Sequence, residues 1–327
     1  MASSTVKRIG FMSQMCPPKP HWTADNVPDL SGQTIIVTGG SSGLGKETCR
    51  ILLSKNAKVY MAVRSKEKAE AAIKDIKQST KKSGIFFLQL DLADLVSCRK
   101  AAEEFLSKEQ ELHVLFDNGG IMFPPLDYLS EQGYDVQFGT NVLGHFFFTT
   151  LLMPALLRAA KSGANPTHKA RIIHISSNGH ELFTVPGGVD WDSLKKDDEA
   201  LAARNKLGKY KLYGQSKLGN ILLSNEFARR YGDQGIVSIA VHPGGIRTDL
   251  QRHSKMPFSA LLERAVLYDV SFGVISQLYA GTAKEALTLN GQYLVPWARQ
   301  SRPADDATDP KLMKKLWDWC EEQVKGF

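Results

Sequence analysis

Short apolar runs alternate with longer amphipathic stretches along most of this chain. Runs of β-branched, aliphatic and aromatic residues at 34–38, 58–63, 85–91, 114–118, 171–176, 237–242 and 292–295 have the length and composition of buried strands. Apolar positions repeating at three and four residues predict helices over roughly 44–55, 66–77, 94–109, 131–160, 208–231 and 258–286. Alternation of strand and helix implies crossover connections, and hence a parallel sheet covered on both faces. The expected architecture is α/β: one domain with a doubly wound, seven-stranded parallel sheet. Residues 1–30, with Pro17, Pro18, Pro20 and Pro28, read as an irregular N-terminal arm, and 31–327 as the domain. Near the C-terminus Leu312, Leu316, Cys320 and Val324 recur at helical spacing beside Trp317 and Trp319, the pattern of an amphipathic helix docked on that domain.

The bulk numbers narrow the class. The 327 residues are 43% hydrophobic and 23% charged, ordinary for a globular protein with a sizeable core. No uninterrupted apolar run reaches 18 residues, so no membrane span is expected, and the first 20 residues lack the apolar core of a signal peptide. Four cysteines at 16, 49, 98 and 320 form no C-x-x-C pair, which points to free thiols in the cytoplasm. The net charge of +7 is dispersed, without a polybasic run, so nucleic acid is not an expected partner. The histidines show no metal-ligand spacing, and no metal is expected. The pair Ser177 and His180 lacks the G-x-S-x-G elbow of a serine hydrolase, which leaves His180 as a capping or pocket-wall residue.

The first strand runs directly into glycines at 39, 40, 43 and 45, and a helix follows. A strand, a glycine turn and a helix N-terminus form a dinucleotide site when backbone must approach a pyrophosphate closely. The competing reading is a purely structural turn. The second strand ends in Arg64, where an NAD site would hold an acid for the ribose hydroxyl. A guanidinium group suits the 2′-phosphate of NADP(H) instead. Asp91 and Leu92, closing the third strand, fall near the adenine.

Tyr213 and Lys217 lie four apart in a helical pattern, one turn along one face. An ammonium beside a phenol favours phenolate and makes the tyrosine a usable proton donor and acceptor. Ser177 closes a strand on the side where such sheets bind ligands, either as a strand cap or as a hydrogen-bond donor to a substrate oxygen. Asn141 falls inside a helical pattern, where an amide needs a partner.

Together the motifs T-G-G-S-S-G-L-G, D-N-G-G, N-V-L-G, I-S-S, Y-G-Q-S-K and H-P-G-G-I-R-T resemble the short-chain dehydrogenase/reductase family over roughly residues 31–297. The likeness is nearest to its retinol-dehydrogenase-like and WW-domain-oxidoreductase-like branch, with fungal members. The resemblance implies a Rossmann fold. It assigns Tyr213 as general acid or base, Lys217 to the tyrosine and the nicotinamide ribose, Ser177 to the reacting oxygen and Asn141 to a proton-relaying water. It assigns Gly39, Ser41, Ser42, Gly43, Leu44, Gly45, Asn118 and Gly119 to the adenosine and phosphate side of the cofactor. Pro243, Gly244, Ile246 and Thr248 go to the nicotinamide. One departure is Asp117, where the family usually has asparagine.

The expected activity is NADP(H)-dependent interconversion of a carbonyl and an alcohol on a small to medium hydrophobic substrate. A C=C reductase and a non-catalytic NADP(H)-binding sensor are the alternatives. Segments 178–212 and 249–286 are expected to close over the substrate, with Met122, Phe123, Phe183, Val185, Trp191, Leu250, Met256 and Phe258 as apolar walls and Arg252 and His253 at a polar end. The sequence leaves the oligomeric state open, a homodimer included.

Overall fold

The computed structural model describes residues 6–163, 165, 167–196, 198–247 and 267–327. The strands are β1 (Thr34–Thr38), β2 (Lys58–Val63), β3 (Ile85–Gln89), β4 (Val114–Asp117), β5 (Ala170–Ile175), β6 (Ile236–Val241), β7 (Tyr293–Val295) and β8 (Arg299–Ser301). They form one sheet in the order β3-β2-β1-β4-β5-β6-β7-β8. The first seven strands pair in parallel, with Ile36 opposite Tyr60 on one side and Leu115 on the other. β8 returns antiparallel to β7, with Leu294 opposite Gln300. Eight strands therefore replace the expected seven. The extra one escaped the sequence pattern because it is three residues long and follows a three-residue hairpin whose last residue, Ala298, takes a positive φ of 55°.

The strands β1, β5 and β6 are buried along their whole length, which explains their continuous apolar character. Alternate residues face opposite layers. Ile36 belongs to the core layer that holds side chains of α4 (Leu95–Lys108), α5 (His145–Lys161) and the C-terminal α9 (Pro310–Gln323), whereas Ile35 and Val37 belong to the layer that holds those of α2 (Gly43–Ser54), α3 (Lys66–Thr80) and α8 (Val270–Thr282). The docked C-terminal helix is present, and it buries Leu312, Leu316, Trp317 and Cys320. In the arm, a short helix α1 (Phe11–Met15) precedes Trp22, Val27 and Leu30, all buried in the second layer. The stretch Val136–Lys161 is long and apolar enough to cross a membrane, but most of it is buried in this core.

Several helix limits differ from the periodicity for local reasons. The expected 131–160 helix begins only at Val136, where Asp135 Oδ2 accepts a hydrogen bond from the Phe138 amide. It then passes through a π-helical turn, Gly139–Gly144. There Gly144 sits so close to the chain that a Cβ would lie 2.1 Å from the Leu92 carbonyl oxygen. The helix expected at 208–231 is the second part of α7 (Asp198–Tyr231), which is interrupted at Gly208, φ 72° and ψ 161°. Part of the expected 178–212 excursion is therefore helical, including a short α6 (Gly179–Leu182). Of the expected 258–286 helix, Val270–Thr282 is present, capped by Asp269, and its first part lies outside the described residues.

Candidate active site

The sheet order reverses direction between β1 and β4, and such a switch opens a crevice at the carboxyl ends of the strands. Thr38 closes β1 at this point. Its hydroxyl oxygen accepts hydrogen bonds from the Asn118 and Gly119 amides at 2.9 and 2.8 Å, and its carbonyl accepts one from Asn118 Nδ2 at 2.8 Å. The glycine turn is thereby drawn against the loop after β4. A Cβ on Gly39 would lie 2.7 Å from Gly119 Cα, and one on Gly45 2.2 Å from the Gly39 carbonyl oxygen. Gly39 and Gly43 both have positive φ.

At the start of α2 the Ser42 side chain caps no amide, and the first turn carries no acid. Its N–H groups and the positive end of the helix dipole are left for an anion. Helix, turn and close-approach glycines fit a dinucleotide pyrophosphate. Leu44, in the first turn of α2, packs with Ile246 around Gly273 of α8.

Arg64 follows β2 with its side chain 75% exposed, and its Nη1 lies 3.6 Å from Asp91 Oδ2. The two residues expected on the adenosine side thus meet at the sheet edge, and an exposed guanidinium remains open to a phosphate. Leu92 packs against Gly119. At the opposite end Pro243 and Gly244 follow β6. Gly244 has a φ of 98°, with Pro296 and Trp297 closing the space where a Cβ would stand. Ile246 forms a parallel bridge with Tyr268. Thr248 lies outside the described residues, as do Leu250, Arg252, His253, Met256 and Phe258.

Lys217 and Tyr213 are buried on α7 beneath the end of β5. Lys217 Nζ donates to the Ile175 carbonyl at 2.9 Å and lies 5.8 Å from the Tyr213 ring centroid. Burial pulls the Lys217 pKa down to about 7. Burial also pushes Tyr213 up to about 12, opposed by a hydrogen bond with Ser177. The expected lowering of the tyrosine by the lysine is therefore not seen in this geometry. Desolvation dominates, the ammonium is turned toward a carbonyl, and much of its charge is absent at neutral pH.

The Ser177 hydroxyl accepts from the Gly179 amide at 3.0 Å, and a Cβ on Gly179 would lie 3.0 Å from Tyr213 Cε1. This turn rests on the tyrosine ring. Asn141 occupies the π-helical turn, accepting from the Ile121 amide at 2.9 Å and donating to the Ile121 carbonyl and Ser216 Oγ. Its amide is a satisfied buried group. Asn141 also borders Lys217, because a Cβ on Gly120 would lie 2.9 Å from Asn141 Oδ1 and 3.7 Å from Lys217 Nζ.

Asp117 lies in the core, where Oδ2 accepts from Thr149 Oγ1 at 3.0 Å and lies 3.1 Å from His174 Nδ1. Sequence reasoning missed His145, which links Thr38 Oγ1 at 2.9 Å to the Asn141 carbonyl at 3.1 Å. Its position four residues after Asn141 was the available signal. It also missed Tyr210 as a wall. The Phe123 ring stands 4.6 Å from Tyr210, 5.1 Å from Tyr213 and 6.1 Å from Phe183, an aromatic collar beside the tyrosine.

The family model for short chain dehydrogenases matches residues 33–187. A short-chain dehydrogenase/reductase of Armillaria gallica is 51% identical over 317 residues, 97% of this chain and 98% of that one. An oxidoreductase of Schizosaccharomyces pombe is 40% identical over 90% of this chain and 87% of its own length. The chain belongs to the short-chain dehydrogenase/reductase family of oxidoreductases. Among solved structures, a protein from Mycobacterium Paratuberculosis superposes with a TM-score of 0.69 at 28% identity, covering 93% of this chain and 97% of its own. The NADPH-bound carbonyl reductase from chicken fatty liver shares the fold, with a TM-score of 0.60 at 22% identity, covering 84% and 100%.

Proposed function

We propose that the protein is an NADP(H)-dependent oxidoreductase that interconverts a carbonyl and an alcohol on a small to medium hydrophobic substrate. The observation that carries this reading is the convergence of Ser177, Tyr213 and Lys217 at the end of β5, in the same sheet whose β1 end carries the glycine cradle. Gly39, Ser41, Ser42, Gly43, Leu44 and Gly45 would hold the pyrophosphate side, with Asn118 and Gly119 bordering the adenosine. Arg64 would hold the 2′-phosphate and Asp91 and Leu92 the adenine. Pro243, Gly244, Ile246 and Thr248 would hold the carboxamide end. The NADPH-bound carbonyl reductase from chicken fatty liver shares this fold, which is compatible with the cofactor choice. When bound, the nicotinamide supplies or accepts the hydride.

Ser177 hydrogen-bonds the reacting oxygen, and Tyr213 gives it a proton in reduction or takes one in oxidation. Burial keeps the tyrosine protonated at neutral pH, the state that reduction requires. Lys217, one turn from Tyr213 on α7, would take up a proton and steady the phenolate left after the transfer, and the second lone pair of Asn141 Oδ1, beside Lys217, would accept from the water through which the proton is replenished. Phe123, Phe183 and Tyr210 exclude water and offer apolar faces to the substrate. The four cysteines are unpaired, which suits a cytoplasmic setting.

The test is NADPH oxidation against aromatic aldehydes, terpenoid and steroid ketones, and quinones, with Tyr213→Phe as control. The reading requires carbonyl-dependent turnover that disappears in the control. Turnover of only activated C=C bonds, or turnover retained by the control, overturns it.

A further inference from the structure

His180 takes no part in the chemistry above, yet it is buried one turn beyond Ser177. Its Nδ1 lies 2.6 Å from the Ser177 carbonyl oxygen, and its Nε2 accepts from the Ala304 amide at 3.2 Å. A single tautomer satisfies both bonds: Nδ1 carries the proton and Nε2 offers its lone pair. Glu181, Arg8, His242 and Tyr293 surround the ring. Burial holds its pKa down at about 4, so the ring remains neutral and the tautomer persists across the physiological range.

Both ends of this bridge are fixed. The Ser177 carbonyl also accepts from the His180 amide at 3.3 Å, which closes the turn lying on Tyr213. On the other side, Arg8 from the arm donates to the Pro303 carbonyl at 2.7 Å and pairs with Asp305 at 2.9 Å. The segment holding Ala304 is therefore anchored independently of the turn.

We propose that His180 is a positioning residue whose imidazole ties the Ser177 turn to the C-terminal segment at Ala304 and so sets the Ser177 hydroxyl relative to Tyr213. The inference rests on the proposed role of Ser177. Loss of the bridge leaves the turn closed by its backbone bond but untied from the C-terminal segment, without touching the cofactor cradle. Displacements near 1 Å at a reacting group cost up to about 100-fold in rate. The consequence belongs in kcat, with little change in cofactor affinity.

The test compares His180→Ala, His180→Asn and His180→Gln with Ser177→Ala in the full chain. Steady-state kinetics would use the best carbonyl substrate found in the screen, with NADPH binding followed by fluorescence titration. An asparagine amide nitrogen stands near the histidine Nδ1 and keeps the bond to the Ser177 carbonyl. A glutamine amide reaches the Nε2 position and keeps only the Ala304 contact.

The expected order is a kcat loss of roughly 10- to 100-fold for alanine, which removes both bonds, smaller losses of severalfold for asparagine and glutamine, which each keep one, and unchanged NADPH affinity in all three. Ala304→Pro is a second route that leaves the histidine intact. Its φ of −53° suits proline, and the substitution removes only the amide donor. A kcat loss of severalfold with unchanged NADPH affinity is expected there, even where His180→Ala fails to fold. Wild-type kcat in all three histidine variants or in Ala304→Pro, or losses as large for asparagine and glutamine as for alanine, overturn the positioning role if Ser177→Ala is inactive. A fully active Ser177→Ala variant instead overturns the role proposed for the serine, and the inference with it.

Discussion

Replacing Lys217 with methionine should stabilise the fold at neutral pH while ending turnover. The ammonium is fully buried, and its pKa in the fold is about 7 against 10.5 for the ordinary side chain. Between these values the unfolded chain binds a proton that the folded chain does not. Stability therefore rises with pH across that window, and the penalty is fully present below pH 7. The cost is roughly 4 kcal/mol at pH 7 and about 2 kcal/mol at pH 9, since each pKa unit is worth about 1.4 kcal/mol.

Methionine is unbranched and fills the same channel without a charge. The hydrogen bond from Lys217 Nζ is lost, but the Ile175 carbonyl still accepts from Asn220 Nδ2 at 2.8 Å, so no acceptor is orphaned. Urea unfolding of the cofactor-free protein and the variant at pH 7 and pH 9 measures the difference. The advantage of the variant should shrink by about 2 kcal/mol between the two pH values. Tyr213 does not confuse the comparison, because its shift from 10.0 to about 12 acts only at higher pH, where stability falls as the unfolded chain loses its proton. A difference that is independent of pH would refute the reasoning.

Tyr213→Phe should abolish turnover with NADPH affinity nearly unchanged, since the ring remains in the collar; substantial residual kcat would remove it as the proton donor. Arg64→Asp should cut or reverse a preference for NADPH over NADH of at least about tenfold, because charged hydrogen bonds contribute roughly 1.5–3 kcal/mol. The change should appear mainly in cofactor KM, and an unaltered preference would make Arg64 a bystander. Gly45→Ala drives a Cβ to within 2.2 Å of the Gly39 carbonyl oxygen, so both melting temperature and NADPH affinity should fall; wild-type values would contradict the close approach. Hydrogen exchange over 178–212 should slow when NADP⁺ and a substrate analogue bind, and equal exchange in both states would argue against closure.

The parallel sheet, its first seven strands and the glycine cradle were legible in the sequence because each rests on local information. Runs such as Ile35–Val37 must be buried on both faces, and a chain turning into a helix against a neighbouring loop needs glycine at 39 and 45. The four-residue spacing of Tyr213 and Lys217 likewise fixed them on one helix. Sequence could not supply the eighth strand, whose three residues are too few to show a period. Nor could it show the break at Gly208, the π-helical seat of Asn141, or the elevated pKa of Tyr213, which follows from desolvation. The bridge from Ser177 through His180 to Ala304 spans 124 residues between the last two. Only folding brings such partners within hydrogen-bond distance, and spacing along the chain carries no trace of it.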